Sequence, residues 1–279
     1  MRYISHYPDA TNDDILNAIA DIYGMNKNQI VVGNGAAELL YAICRLPGYT
    51  GAFVPAPGFS EYKAALEASR IPVRDIYYRP REDEHGKPYF EVPYLALETF
   101  AAELKGQDGR IIVFLGNPNN PDGTLLDKNH IRTIASMLKD ANSLLVIDES
   151  FIDFVGNDTL QDNEYSMRSL VNEFDNIIVV HSFTKFYAVP GLRIGAAFSN
   201  PLIIEQLNSF IPTWSVNTLA QSYTEAALND VEYVKRTKQV LHEEQLFMYN
   251  LLDTIDGITI YPPSANFMLF HIEQEGITA

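Results

Sequence analysis

Six short runs in this chain are apolar without alternation: Ala52-Phe-Val54, Pro72 to Tyr77, Arg110 to Leu115, Ser143 to Ile147, Asn176 to His181 and Ile194 to Phe198. A strand with one wet face alternates, so a continuous apolar run predicts burial on both faces, as in a parallel sheet covered by helices. Helical patterns lie between these runs, at Ala36–Leu46, Ser60–Ala68, Tyr94–Leu104, Asp127–Leu138 and Met167–Glu173. The alternation predicts βαβ units and a three-layer α/β/α fold with a mainly parallel sheet. After about residue 211 the character changes. Val216–Leu228 and Val231–Leu252 are long and helical, and Gly257–Tyr261 and Phe267–Phe270 suit strands. This part is expected to be a smaller α+β domain, incomplete at its C-terminal side, because two strands alone are marginal. The expected division is 1–25 as an N-terminal segment of the small domain, 26–228 as the large domain and 229–279 as the rest of the small one.

Composition narrows the partners. The 279 residues are 47% hydrophobic and 20% charged, enough for a sizeable core. The net charge of −16 repels phosphate backbones and anionic lipid, so neither nucleic acid nor a membrane is expected as a partner. A small anion in a local basic pocket remains compatible. Cys44 stands alone, which excludes an internal disulfide framework. The first residues contain no apolar core of a signal peptide, and the longest apolar runs are too short for a bilayer, so a cytoplasmic protein is expected. The histidines at 6, 85, 130, 181, 242 and 271 show no ligand spacing, and no metal is expected.

Three polar segments follow apolar runs: Asn117-Pro-Asn-Asn-Pro-Asp-Gly123, Asp148-Glu-Ser-Phe151 and Ser182-Phe-Thr-Lys185. Ligands of open α/β sheets bind outside the carboxyl ends of the strands, so neighbouring parallel strands would bring an amide, a carboxylate and an ammonium into one crevice. Each segment also has an ordinary explanation. The first is a plausible double turn, Asp148 could cap a helix, and a lone Lys is usually solvated. Together they are harder to dismiss, since Lys185 follows Asp148 by 37 residues, a βαβ spacing.

A desolvated Lys forms Schiff bases with aldehydes, and a carboxylate facing a pyridine nitrogen keeps that ring protonated. Those are the two protein groups that pyridoxal 5′-phosphate (PLP) requires. Ser182 and Thr184 offer hydroxyls to a phosphate, and Arg193 offers a fork of donors. Gly33-Asn-Gly-Ala-Ala-Glu38 opens a helical pattern, so Gly35, Ala36 and Ala37 can present backbone N–H groups. Asn-Gly is also a hairpin signal, but a helical pattern follows it. Glu38 stands where the dinucleotide fingerprint needs its third small residue. Phe59 can stack on a flat ring or simply fill the core. His181 reads as strand-end packing, Trp214 as core packing or else a pocket wall, and Glu82-Asp-Glu84 as a solvated loop.

The motifs Tyr7-Pro-Asp9, Gly33 to Glu38, Asn117 to Gly123, Asp148-Glu-Ser-Phe-Ile-Asp-Phe154 and Ser182-Phe-Thr-Lys-Phe-Tyr-Ala-Val-Pro-Gly-Leu-Arg-Ile-Gly195 span nearly the whole chain. In order and spacing the chain resembles fold-type I PLP enzymes of the class I/II aminotransferase group. Within the group it resembles histidinol-phosphate aminotransferases and, more closely, threonine-phosphate decarboxylases. Thr184-Lys-Phe-Tyr-Ala-Val-Pro-Gly-Leu-Arg193 and Trp214-Ser-Val-Asn217 favour the latter, as does Phe151, where transaminases commonly carry Tyr. The resemblance implies that Lys185 carries the cofactor and moves protons at the substrate Cα. It implies that Asp148 pairs with the ring nitrogen, Asn120 with the ring 3′-oxygen, and that Phe59 stacks on the ring. Ser182, Thr184, Arg193 and the amides of Gly35 to Ala37 would hold the phosphate, with Tyr7 reaching it from a second subunit of a homodimer. The expected activity is decarboxylation of L-threonine O-3-phosphate in cobalamin biosynthesis. The alternatives are transamination of a histidinol-phosphate-type amine, or cofactor binding without turnover. Asp122 departs from the Thr usual in the first motif. The substrate-binding arginines of family members are expected beyond the last residue.

Overall fold

The computed structural model describes residues 5–104, 109–156, 159–161 and 163–273. The first four residues of the expected N-terminal segment and the last six of the expected small domain lie outside that set.

Seven strands build the main sheet: β1 (Ile30–Gly33), β2 (Tyr49–Ala56), β3 (Val73–Tyr77), β6 (Arg110–Gly116), β7 (Leu144–Asp148), β8 (Ile177–Ser182) and β9 (Gly195–Phe198). The spatial order is β1-β9-β8-β7-β6-β2-β3. The two remaining early strands, β4 (Arg79–Glu82) and β5 (Pro88–Glu91), form a separate hairpin. Its turn is the expected solvated loop, where the Asp83 carboxylate accepts from the N–H groups of His85 and Lys87.

Strands β3, β2, β6, β7 and β8 are mutually parallel. Strand β9 runs antiparallel to both neighbours, against the expectation for Ile194–Phe198. The link from β8 to β9 holds only the four-residue helix α6 (Phe183–Phe186) and a 3-10 turn, Pro190–Leu192. A parallel return needs a longer crossover than that. Met167–Glu173 likewise yields only a 3-10 turn at Arg168–Asn172.

Helices cover both faces of the sheet, as predicted. On one face Ile15 and Ile19 of α1 (Asp13–Tyr23) and Ile131 and Ile134 of α5 (Lys128–Asp140) join Leu145, Ile147 and Val179 in one cluster. On the other, Leu39 and Leu40 of α2 (Gly35–Ile43) and Ala65 and Leu66 of α3 (Glu61–Ala68) join Val146, Val180 and Phe114. Each of these side chains larger than alanine contributes about 1.5–3 kcal/mol of burial. The period of two along β7 therefore sends Asp148 and Glu149 to opposite faces.

Three helices complete the set after α4 (Tyr94–Glu103): α7 (Pro201–Phe210), α8 (Thr218–Leu228) and α9 (Val231–Asp253). Strands β10 (Ile258–Ile260) and β11 (Phe270–Ile272) pair antiparallel behind α9. Strand β11 starts where the expected strand Phe267–Phe270 ends, because Ser264 to Phe267 turn back instead. There the Ser264 hydroxyl bonds Gly123 O, and Ala265 O accepts from Gln245. Among the described residues no helix is long and apolar enough to cross a membrane.

Candidate active site

The carboxyl ends of β6, β7 and β8 lie side by side, with Gly116 opposite Asp148 and Asp148 opposite Val180. The loop after β6 then brings Pro118 and Asn120 to the edge of the sheet. A cleft at this edge is lined by Phe59, Tyr62, Pro118, Asn120, Asp148, Ser150, Phe151 and Lys185. The separate strand ends read from the sequence do meet.

Asp148 is buried at the floor of this cleft. Its Oδ1 accepts from the backbone N–H and the hydroxyl of Ser150, and its Oδ2 accepts from the Tyr62 hydroxyl at 2.9 Å. An ionised carboxylate has about four acceptor positions. Three are filled, which leaves capacity for one more donor. Tyr62 is held by a parallel stack on Phe114 at 5.3 Å and meets the edge of Phe59 at 5.6 Å. Burial, and then the neighbouring Asp148, push the Tyr62 phenol well above its ordinary pKa, so it stays a donor. Lys185, on α6, is exposed and points its Nζ over the Phe151 ring, 5.5 Å from the centroid.

Residue 149 anchors the floor from behind. Glu149 is fully buried and accepts from Asn117 Nδ2 at 3.1 Å, from the Ser166 hydroxyl at 2.6 Å and from Met167 N–H, with Arg168 3.6 Å away. Beside it His181 is not plain packing: its Nε2 lies 3.0 Å from Asp153 Oδ2, which also accepts from Tyr23 at 2.8 Å. Burial works against the Asp153 charge, but His181 and Arg168 outweigh it and hold the carboxyl below its usual pKa.

The neighbouring strand ends form a second, polar patch. Gly33, Gly195 and Ser182 occupy one row across β1, β9 and β8. Helix α2 begins directly after this row, as the Gly33 to Glu38 pattern predicts. Gly35 has φ +80°, and a Cβ there would lie 2.4 Å from Arg193 Nη2, so the guanidinium rests against the start of α2. Arg193 itself is held in a left-handed conformation, φ 58°, with Nη1 donating to Pro190 O at 3.1 Å. Ser182 and Thr184 hydroxyls are buried and 2.8 Å apart. The free N–H groups of a helix start, a guanidinium and paired hydroxyls make a binding patch for a phosphate dianion.

Tyr7 has an aromatic partner in the single chain. It stacks on Trp214 at 4.5 Å, and both rings are well exposed, which corrects the reading of Trp214 as core. Sequence reasoning missed Tyr62, Ser150 and Glu149.

The residues fit PLP. The cleft has an apolar wall for a ring, an acceptor with spare capacity at its floor, an amine at its rim and an anion patch on the adjoining strand ends.

Comparison with known proteins agrees. The chain is 33% identical over 267 residues to the bifunctional adenosylcobalamin biosynthesis protein of Leptospira interrogans, covering 95% of this chain and 29% of that protein. It is 31% identical over 280 residues to the threonine-phosphate decarboxylase of Salmonella typhimurium, covering 98% of this chain and 71% of that enzyme. The histidinol-phosphate aminotransferase of Clostridium acetobutylicum superposes with a TM-score of 0.81 at 23% identity, over 98% of this chain and 76% of that one, and shares its fold. The sequence pattern of the class I and II aminotransferases matches residues 1–275, so the chain belongs to that family and its cofactor is pyridoxal 5′-phosphate.

Proposed function

We propose that this chain catalyses decarboxylation of L-threonine O-3-phosphate. The observation that carries the PLP chemistry is the meeting of Lys185, Asp148, Asn120 and Phe59 in one cleft. The choice of reaction is supported by likeness to the Salmonella decarboxylase and by Phe151, which places no phenol at the rim.

Bound in the cleft, PLP supplies an electron sink for breaking a bond at the Cα of an amino acid. The chain's own residues do the rest. Lys185 binds the cofactor and delivers to Cα the proton that replaces the departing CO₂. Asp148 faces the ring nitrogen and holds a proton there, with Tyr62 and Ser150 fixing its direction. Asn120 donates to the ring 3′-oxygen, and Phe59 covers one ring face. Ser182, Thr184, Arg193 and the first amides of α2 (Gly35, Ala36 and Ala37) hold the cofactor phosphate, and Tyr7 completes that cup across a homodimer.

The test is stoichiometric. Incubation with threonine phosphate should release CO₂ with no keto acid present. An absolute need for 2-oxoglutarate would make the protein a transaminase instead. A bound-cofactor absorbance with neither activity would leave it a binding protein without turnover.

A further inference from the structure

The loop that presents Asn120 and the loop that presents Phe59 are tied by one buried amide. Asn119 is fully buried, and its Nδ2 donates to Pro57 O at 3.0 Å and to Asp122 Oδ2. Pro57 stands two residues before Phe59, and Asn119 directly precedes Asn120. One proton of the amide therefore bridges the two walls of the cleft, and the other is held by Asp122 on its own loop. Its Oδ1 has no hydrogen-bond partner among the described residues. Rotating the amide would set that oxygen against a carbonyl and a carboxylate, so its orientation is fixed by charge and not by shape alone.

Asp122 completes the arrangement. It is buried, and its Oδ1 accepts from Thr124 N–H at 2.8 Å while Oδ2 takes the Asn119 amide. Asn119 N–H in turn donates to Thr124 O, and Gly123 N–H to Asn119 O, both at 2.8 Å. Below, Asn119 is pressed onto Gly116, where a Cβ would come within 2.9 Å of the Asn119 Cα. The amide has no room to shift along the strand end. Burial raises the Asp122 pKa, a cost that the donors on Thr124 and Asn119 offset in part.

We propose that Asn119 and Asp122 are positioning residues that fix the gap between Phe59 and Asn120, and thereby the seat of the cofactor ring. The proposal rests on the reading of this cleft as the PLP site. If it holds, losing Asp122 weakens the bond from Asn120 to the ring oxygen, although Asp122 itself touches neither.

The experiment uses the full chain loaded with PLP, comparing the parent with Asp122→Ala, Asp122→Asn, Asn120→Ala and Asp122→Ala/Asn120→Ala. Two quantities are read: the cofactor dissociation constant, and the pH midpoint of the bound cofactor's absorbance change. A donor to the ring oxygen favours the deprotonated form, so weakening it raises the midpoint. Asp122→Ala should raise the midpoint by about one unit and weaken binding about tenfold. It should add nothing in the Asn120→Ala background. Simple loss of a nearby negative charge would lower the midpoint instead.

Asp122→Asn keeps the shape but offers one acceptor oxygen to two donors, and should give part of the same rise if the alanine variant does not fold. An unchanged or lowered midpoint in a folded variant, or effects that add to Asn120→Ala, would overturn the brace while leaving the cofactor site intact. Absence of any bound-cofactor absorbance in the parent would overturn the site itself, and the brace with it.

Discussion

Of the side chains lining the cleft, Lys185 alone carries an amine and Asp148 alone a carboxylate. Their roles separate under mutation. Asp148→Ala should leave Lys185 able to capture the cofactor, because the amine does not depend on the carboxylate for its position. Turnover should fall at least about a hundredfold, since the ring nitrogen loses the anion that keeps it protonated. Steady-state kinetics beside an absorbance spectrum check this, and unchanged turnover would remove Asp148 from the mechanism. At this scale the sequence was informative about charged residues that end strands. It was silent about Tyr62, whose partner Asp148 stands 86 positions away. Nor could it reveal that Asn119 rather than its neighbour Asn120 ties two loops, because the tie runs to a backbone carbonyl.

At the scale of elements, the start of α2 and the turn before β9 form a unit. Gly35 is held at φ +80°, and its missing Cβ leaves the space that Arg193 Nη2 fills. Gly35→Ala should push the guanidinium away and strain the backbone. Cofactor affinity should drop about tenfold, the loss of one charge-assisted hydrogen bond. Titration with PLP followed by fluorescence measures it, and an unaltered affinity would place the phosphate elsewhere. The elements most legible in sequence were the long buried runs β6, β7 and β8, where continuous apolar character leaves no other fate. Strand β1 was missed because Ile30-Val-Val-Gly33 is short and runs directly into the glycine turn. The direction of β9 was hidden for a different reason. Burial on both faces looks the same in a parallel and an antiparallel strand, and only the short link before it decides.

For the molecule as a whole, folding stability should carry the mark of one thiol. Cys44 is buried in the cluster beneath α2, and burial pushes its pKa from an ordinary 9.0 up to about 12. The folded state then holds the proton more tightly than the unfolded one. The thiol's contribution is complete below about pH 9 and falls by about 1.4 kcal/mol per pH unit as pH rises toward the folded value. Urea unfolding of the parent and Cys44→Ala should therefore differ by about 2 kcal/mol less at about pH 10.5 than at about pH 8. A difference that stays constant would show the thiol is not shielded. The three-layer architecture was readable from the alternation of runs, and the family from its motifs. The contact between Tyr7 and Trp214 was not, because it joins exposed residues 214 − 7 = 207 positions apart.

Borohydride reduction of the PLP-loaded protein, followed by peptide mass spectrometry, locates the lysine that carries the trapped pyridoxyl group. The label is expected on Lys185 and should disappear in Lys185→Ala. A label on another lysine, or one that persists in that variant, would contradict that expectation.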